Sequence, residues 1–371
     1  MSPKDAIAHI SKLLVLSYVV DWVFIVGLAL IGYGFSKVTP NHHPFSLADP
    51  SISFPYMENE TVTTETLVLV GLFAPAVIVL LGAFALVPGT AVDNGAKSSK
   101  SQLIRRKIWE WNAGWLGLAL ALAAAWTSTE GLKSLVGKPR PDLLARCNPD
   151  VSDIASHVVG GLGESLKGAA VLVDWTICRV QSDLVRVDAF SSFPSGHSSF
   201  SFAGLGYLTL WLASKFSVTF PYLPQYPIEG RDFSDDRSSV RMRGAAPPVL
   251  LMILAFVPTA TACFIAASRW MDYRHHGFDI LFGSALGIFF AYIGFRMYHL
   301  PIQRGAGWAW GPWGPRRAFL RGIGFPSSLG VDSWTYTRKT DEVRNGFRLE
   351  TDVENVPMRD RAERGPTDDS F

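Results

Sequence analysis

The chain has 371 residues, of which 48% are hydrophobic, and its mean hydropathy is +0.20. Its length would allow two soluble domains, but long stretches without charged residues are typical of proteins that lie in a membrane. The formal net charge is only +2, which gives no electrostatic support for a nucleic-acid partner. Composition and charge therefore argue against a soluble chain and against a nucleic-acid-binding protein.

Six apolar segments come close to the roughly 20 residues that a membrane-crossing helix needs. The first has no evident small-residue cleavage site and is followed by further apolar segments, so we interpret it as a membrane helix rather than a signal peptide. The sequence therefore predicts an all-α, polytopic membrane protein whose six-helix bundle occupies residues 14–300. The six segments are approximately 14–35, 67–86, 113 onwards, 200–212 with apolar extensions, 249–267 and 278–298.

Lysine and arginine are unevenly distributed over the connecting loops. The loop after the first segment contains only Lys37 among basic residues, whereas the connections after the second and fourth segments are rich in them. The positive-inside rule therefore predicts that the even-numbered loops and both termini, including residues 1–13, are cytosolic, and that the odd-numbered loops face the lumen or the outside. The glycosylation sequon Asn59-Glu60-Thr61 lies in the first of these outer loops, which agrees with that orientation.

The composition changes at about Pro301. Tryptophans near Trp308 suit a membrane interface, and beyond Tyr336 the chain is highly charged and poor in branched apolar residues. Residues 301–371 are therefore predicted to form a largely disordered cytosolic tail.

The three cysteines form no C-x-x-C pair of the kind that would indicate a zinc or redox site. Cys263 lies in an apolar segment and is interpreted as a buried small hydrophobic residue. Cys147 and Cys178 share one long polar loop, where they could pair if that loop faces an oxidising compartment.

A first polar motif, Lys133-x6-Arg140-Pro141, ends the third apolar segment. Seven residues make nearly two helical turns, so both cations could project from one helix face. Two neighbouring cations repel each other unless an anion lies between them, which suggests an anion site. The alternative is a pair of side chains that reach the lipid headgroups and anchor the helix.

A second motif, Pro194-Ser195-Gly196-His197, directly precedes the fourth segment. A helix that begins here presents free backbone N–H groups to an anion, and His197 in its first turn could give that anion a proton. The alternative is an ordinary serine N-cap followed by an interfacial histidine.

A third motif, Ser268-Arg269-x5-His275-x3-Asp279, joins the fifth and sixth segments. Residues four apart share a helix face, so Asp279 is predicted to orient the His275 imidazole and leave its other nitrogen free to attack. Arg269 could bind a phosphate group through two parallel hydrogen bonds. The alternative is a polar hairpin with an incidental histidine–aspartate pair.

The loop assignment places all three motifs on the same outer side of the membrane. Cations, a helix N-terminus, a nucleophile and an acid are together the ingredients of phosphoryl transfer. No carboxylate cluster suited to Mg²⁺ accompanies them, so the sequence predicts a site without metal or cofactor in which basic side chains do the work of a metal ion.

With these three motifs complete and in order, the sequence resembles the type 2 phosphatidic acid phosphatase (PAP2) superfamily, whose signature is K-x6-R-P, P-S-G-H and S-R-x5-H-x3-D. The resemblance implies a membrane helical bundle in which His275 attacks phosphorus and forms a phosphohistidine, Asp279 orients it, and His197 protonates the leaving oxygen. The phosphate ligands that it implies are Lys133, Arg140, Ser195, the Gly196 backbone and Arg269.

The stretch from Pro139 to Asp142, followed by Arg146-Cys147, resembles the eukaryotic lipid phosphate phosphatase branch. The tryptophan-rich patch and polar tail are similar to fungal members that act on diacylglycerol pyrophosphate and phosphatidate. The resemblance implies a multi-pass protein of an endomembrane (vacuole, Golgi or endoplasmic reticulum) or of the plasma membrane. It gives no role to the insertion at 148–191.

Several alternatives share part of this pattern. Phosphatases for isoprenyl diphosphates, sphingoid phosphates or sugar phosphates would use the same site, so the motifs do not choose among substrates, nor do they give the oligomeric state. A vanadium-dependent haloperoxidase would be soluble. A transporter would place ionisable residues deeper in its spans, and a non-catalytic scaffold with a decayed site would have lost one of His197, Arg269 or His275.

Overall fold

The computed structural model describes residues 12–86, 100–216, 218, 248–302 and 309. Residues Tyr18–Trp310 form one compact unit, and the rest of the chain is described only at 12–17. Most of the predicted tail from 301 and most of the predicted N-terminal segment 1–13 lie outside the described residues. So do most of the two basic connections, at 87–99 and 219–247, on which the predicted orientation rests.

The described unit is mostly helical, which confirms the predicted class. Two short helices and a small hairpin interrupt the series of long helices. The helices are α1 (Lys12–Phe35), α2 (Thr64–Leu86, with a π-helical section at Leu69–Phe73), α3 (Lys100–Val136), α4 (Leu143–Cys147), α5 (Asp183–Arg186), α6 (Gly196–Lys215), α7 (Val249–Met271) and α8 (Gly277–Tyr298).

Four of the described helices are long and apolar enough to cross a membrane, namely α1 from Val15 onward, α2, α7 and α8. The sequence predicted six spans. Helices α3 and α6 do not meet the same standard, because α3 opens with a charged stretch and α6 carries several serines and glycines. The six-span arrangement therefore stays a prediction.

Helix α6 lies at the centre of the bundle and packs against α3, α7 and α8. Its large side chains are buried there, among them Tyr207, whose hydroxyl donates a 2.8 Å hydrogen bond to the Gly114 carbonyl oxygen of α3. A helix covered on all sides by protein needs no lipid-facing apolar side chains, which explains why α6 tolerates its polar residues.

The outer surfaces of the peripheral helices are apolar. Phe24 of α1, Leu81 of α2 and Leu281 of α8 are all more than 60% exposed, as expected of side chains that contact lipid rather than protein. Cys263 of α7 is also exposed, so its predicted burial is wrong. It lies on a helix that is apolar enough to cross a membrane. Because lipid is itself apolar, such a residue needs no protein neighbours.

All but the last residue of the insertion at 148–191 belongs to a small folded lobe, defined here as residues 143–190. Strands β1 (Val158–Gly160) and β2 (Leu172–Val173) form an antiparallel hairpin, and Cys147 and Cys178 form a disulfide with Cα atoms 4.7 Å apart. The lobe has its own hydrophobic cluster, and Phe45 from the first outer loop packs into it. The polar loop that the sequence indicated is therefore a compact lobe with a core.

Candidate active site

The three sequence motifs meet at one end of the bundle. The last turn of α3, the N-terminus of α6, the last turn of α7 and the N-terminus of α8 lie there because these helices alternate in direction. Contacts between motifs are direct: the Ser195 backbone N–H donates to the Asp279 carbonyl oxygen at 3.1 Å, and a methyl group at Gly196 would lie 3.1 Å from Lys133 Nζ. Residues that are 146 positions apart in the chain therefore line one site.

Lys133 and Arg140 approach this site from different elements. Helix α3 ends at Val136, and Gly137 follows with φ of +59°, a left-handed conformation that terminates a helix. Arg140 therefore lies beyond the helix, and the prediction that both cations share a helix face is wrong. The Lys133 side chain extends toward Gly196, and its Nζ forms a 2.7 Å salt bridge with Glu130 Oε1.

Arg140 is 5% exposed and links the lobe to His275. Its Nε donates to the Asp188 carbonyl oxygen at 2.6 Å and its Nη2 to Asp188 Oδ1 at 2.8 Å. Its Nη1 donates to the Arg274 carbonyl oxygen at 3.0 Å and to His275 Nε2 at 3.3 Å. One arginine therefore holds the third motif against the lobe.

Asp188 is the common partner of three arginines, Arg140, Arg146 and Arg274. Burial alone would raise the pKa of this carboxyl group, but the three guanidinium charges outweigh burial and hold the pKa below its ordinary value. Asp188 is therefore an anion that keeps mutually repelling cations together beside the site.

The second motif begins α6 as the sequence predicted. Ser195 is the N-cap, and its hydroxyl oxygen accepts a 3.4 Å hydrogen bond from the Ser198 backbone N–H. His197 Nε2 lies 3.1 Å from the Val62 carbonyl oxygen. Because a carbonyl oxygen can only accept, Nε2 must carry the proton, and Nδ1 is the nitrogen available for proton exchange with a ligand.

His275 is buried, and its two nitrogens have different roles. Nδ1 donates to the Ser192 carbonyl oxygen at 2.7 Å, so in the neutral ring Nε2 is the unprotonated nitrogen, and it points toward Arg140. Burial first, and the Arg140 charge second, lower the pKa of this imidazole well below its ordinary value. The ring is therefore neutral at physiological pH, with a lone pair on Nε2.

Asp279 is completely buried but does not hydrogen-bond to His275, contrary to the expectation from their spacing. Helix α8 begins at Gly277 with His276 as its N-cap, so His275 lies outside the helix and the four-residue rule does not apply. The Asp279 carboxylate instead accepts hydrogen bonds from Lys138 Nζ at 2.7 Å and from the Ser192 hydroxyl at 2.6 Å, and lies 3.3 Å from His276 Nδ1. Ser192 therefore connects Asp279 to His275.

Arg269 is 1% exposed, and most of its donors are already in use. Nη1 donates to Glu60 Oε2 and Nη2 to Asp272 Oδ2, both at 2.8 Å, while Nε donates to the Ser268 hydroxyl at 3.1 Å. The sequence predicted a guanidinium that presents two parallel donors to a phosphate. In the structure this fork is fixed by two carboxylates, and few of its N–H groups are left for a ligand.

Sequence reasoning missed the partners that hold the motif residues in place. Ser192 and Asp188 precede the second motif without a recognisable pattern, and Glu60 was noted only as one residue of a glycosylation sequon. The signal that could have found Glu60 is the acid-rich composition of the first outer loop, opposite a cluster of buried cations. Within the described ranges, no three carboxylate, imidazole or thiol groups gather in an arrangement that could hold a metal ion.

A cavity of about 440 Å³ opens beside the site. Its lining includes Lys138 and His276, which both contact the Asp279 carboxylate, together with apolar side chains such as Phe45 and Ile52. A mixture of cationic and apolar groups suits a ligand that has both a charged and a hydrophobic part.

Comparison with known proteins finds a family and several relatives. Residues 113–302 match the model of the PAP2 superfamily. The chain is 31% identical over 284 residues to the probable diacylglycerol pyrophosphate phosphatase 1 of Schizosaccharomyces pombe. The aligned region covers 76% of this chain and 82% of that relative.

Two further relatives agree with this grouping. Identity is 28% to the diacylglycerol pyrophosphate phosphatase 1 of Saccharomyces cerevisiae, over 76% of this chain and 80% of that protein. It is 25% to the lipid phosphate phosphatase 2 of Arabidopsis thaliana, over 78% and 79% of the two chains. No solved structure matches.

Proposed function

The chain belongs to the PAP2 superfamily, and on that premise we propose that it is an integral-membrane lipid phosphate phosphatase acting on phosphatidate or diacylglycerol pyrophosphate. The observation that carries the proposal is His275, a buried neutral imidazole whose Nε2 lone pair lies beside the Arg140 guanidinium. A nucleophile next to a fixed cation is the arrangement that transfer of a phosphoryl group requires. The names of the relatives in fungi and plants support the lipid substrate.

In the proposed reaction His275 Nε2 attacks phosphorus, and the bond from phosphorus to the leaving oxygen breaks. With the anionic phosphate bound beside it, the positively charged form of His197 gives its Nδ1 proton to that oxygen, which releases diacylglycerol or, from the pyrophosphate, phosphatidate. Neutral His197 then takes a proton from water, whose oxygen attacks the phosphohistidine and releases inorganic phosphate and free His275.

The proposed phosphate ligands come from the three motifs that meet at this end of the bundle. Arg140 and Lys133 supply positive charge, and the N-terminus of α6 supplies the Gly196 backbone N–H beside Ser195. Arg269 completes the set with the one N–H group, on Nη1, that its carboxylate and serine partners leave over. These fixed donors would stabilise the charge on the transferring phosphoryl group without a metal ion or other cofactor.

We further infer that α3 and α6 are the two remaining membrane spans, which gives the six-span bundle predicted from the sequence. The site end of the bundle then faces the lumen or the outside, with both termini in the cytosol. The disulfide at Cys147 and Cys178 and the exposed sequon at Asn59 support this orientation, because both modifications belong to an oxidising compartment.

The proposal is tested by phosphate release from mixed micelles by the purified protein, with and without EDTA. We expect turnover of phosphatidate and diacylglycerol pyrophosphate that EDTA does not abolish. H275A should lower it by roughly 1,000-fold or more, as loss of a nucleophile does in other enzymes. H157A is the matched control, because His157 contacts Thr176 in the lobe rather than the site.

A strict requirement for Mg²⁺, or substantial turnover by H275A, would contradict the mechanism. Isoprenyl diphosphates and sphingoid phosphates in the same panel test the rival substrates: a clear preference for either would replace the assigned lipid and keep the reaction. Absence of phosphate release from every compound would favour a transporter or scaffold.

A further inference from the structure

We propose that residues 60–62, called the strap here, are a positioning element of the phosphate site and that Glu60 is its principal residue. The strap belongs to the first outer loop, far in sequence from the three motifs, yet each of its residues contacts a motif or its flanking residues. The inference rests on the proposed function, because it concerns how the site is held in shape for phosphoryl transfer.

Glu60 bridges two arginines. Its Oε2 accepts a 2.8 Å hydrogen bond from Arg269 Nη1, and its Oε1 forms an ion pair with Arg274 Nη2 at 2.8 Å. Arg269 and Arg274 are 1% and 11% exposed in their side chains, so water screens their repulsion poorly. One carboxylate that binds both cations therefore fixes the distance between them.

Thr61 anchors the strap to the turn that follows α7. Its backbone N–H donates to Asp272 Oδ2 at 2.9 Å and its hydroxyl to Asp272 Oδ1 at 2.6 Å. The same Asp272 carboxylate accepts from Arg269 Nη2. Arg269 is thus held on one side by Glu60 and on the other by a carboxylate that Thr61 orients.

Val62 connects the strap to the proposed acid. Its carbonyl oxygen accepts the His197 Nε2–H, which fixes the ring and leaves Nδ1 for proton transfer. Glu60, at the other end of the strap, pairs with Arg274. The Arg274 carbonyl oxygen accepts from Arg140 Nη1, which also contacts His275. Three consecutive residues therefore contact the phosphate ligand Arg269, the proton donor, and the neighbour of the nucleophile.

These contacts explain why the Arg269 donors are directed at carboxylates. A guanidinium with all its donors free would change rotamer and lose the geometry that the transition state needs. The strap and Asp272 restrain the plane of the group, so that the N–H group left over has a fixed direction. Glu60 acts through Arg269 and Arg274 and does not touch the reacting atoms.

The sequon at residues 59–61 overlaps the strap and provides matched variants. N59Q removes the glycosylation site and leaves the strap contacts intact. T61V removes the site together with the hydroxyl bond to Asp272, whereas T61S keeps both. E60Q keeps the sequon and the size of the side chain but removes the charge that bridges the arginines.

We expect N59Q to match the wild type in phosphate release, and E60Q and T61V to lose about 10- to 100-fold in kcat, because misplacing reacting groups by an ångström costs on the order of 100-fold. T61S should recover most of the T61V loss. The inhibition constant for inorganic phosphate should rise in E60Q, since a displaced Arg269 binds the product less well.

Melting temperatures in detergent establish that each variant is folded, and T61V, which loses a single hydroxyl, decides the question if E60Q does not fold. The strap proposal alone would be overturned if E60Q or T61V had the same kinetic constants as N59Q. This comparison requires a preparation in which the wild type is active and H275A is not. Inactivity of the wild type toward every lipid would remove the proposed function, and the strap's role with it.

Discussion

Asp279 and His275 are joined by a single intermediate residue. The Ser192 carbonyl oxygen accepts from His275 Nδ1, and the Ser192 hydroxyl donates to Asp279. We propose that the buried carboxylate orients the imidazole by holding Ser192 in place. If Asp279 acts on His275 through Ser192, substitutions of Asp279 and Ser192 should not have independent effects on activity.

A double-mutant cycle tests this relay. We expect D279N to lower kcat by on the order of 100-fold, as misalignment of a nucleophile does. S192A, which keeps the carbonyl but loses the hydroxyl, should reproduce part of that loss, and the double variant should be no slower than D279N because both act on one path. Either of two results would indicate that Asp279 acts without Ser192: an S192A variant close to the wild type, or a double variant whose loss is the product of the two single losses.

The sequence predicts which side chains meet at one end of the bundle better than it predicts how they are held there. Motif spacing identified Lys133, Arg140, His197 and His275, and all four lie at one end of the bundle. Spacing failed for Asp279, because helix α8 begins only after His275. Long-range partners are set by tertiary contacts that leave no local pattern.

Close contact between α6 and α8 gives the site its shape. A Cβ at Gly283 of α8 would lie 2.6 Å from the Ser195 carbonyl oxygen, which is closer than van der Waals contact allows. The absence of a side chain at this position lets the N-terminus of α6 lie directly against α8. The helix N-terminus that we propose as a phosphate ligand thus depends on a glycine in another element.

We expect G283A to destabilise the protein by about 1–3 kcal/mol, the usual range for overpacking, and to reduce phosphate release more than G206A does. Gly206 of α6 is the matched control, since a Cβ there would meet Ala291 Cβ at an ordinary 3.5 Å. Melting temperature in detergent and kcat measure the two effects. Equal behaviour of G283A and G206A would show that the helices can separate without harm to the site.

Among the elements, helices that face lipid were predicted most accurately. The apolar segments at 14–35 and 278–298 agree with α1 and α8 within a few residues, because lipid-facing helices must be apolar along their length. Helix α3 begins about a dozen residues before the predicted segment, since its first turns are charged and carry no apolar signal. The lobe escaped prediction because its core depends on contacts between distant short elements.

The whole described molecule consists of an apolar helical bundle and a disulfide-linked lobe that meet at the site. Arg140 lies on the boundary, with Asp188 of the lobe on one side and His275 on the other. Phe45, from the loop that also carries the strap, packs into the lobe. The loop between α1 and α2, the lobe and the turn between α7 and α8 thus form one connected layer over the end of the bundle. The topology of the whole chain decides which side of the membrane that layer faces.

The redox state of the cysteines tests which side of the membrane this layer faces. A disulfide at Cys147–Cys178 persists in the lumen or outside the cell and is rare in the reducing cytosol. Protein purified without reductant and then denatured should take up one equivalent of iodoacetamide, at Cys263, and three after reduction, since the chain has three cysteines. A C263A variant should take up none before reduction. Uptake of three equivalents without reduction would show that the layer faces the cytosol and reverse the proposed orientation.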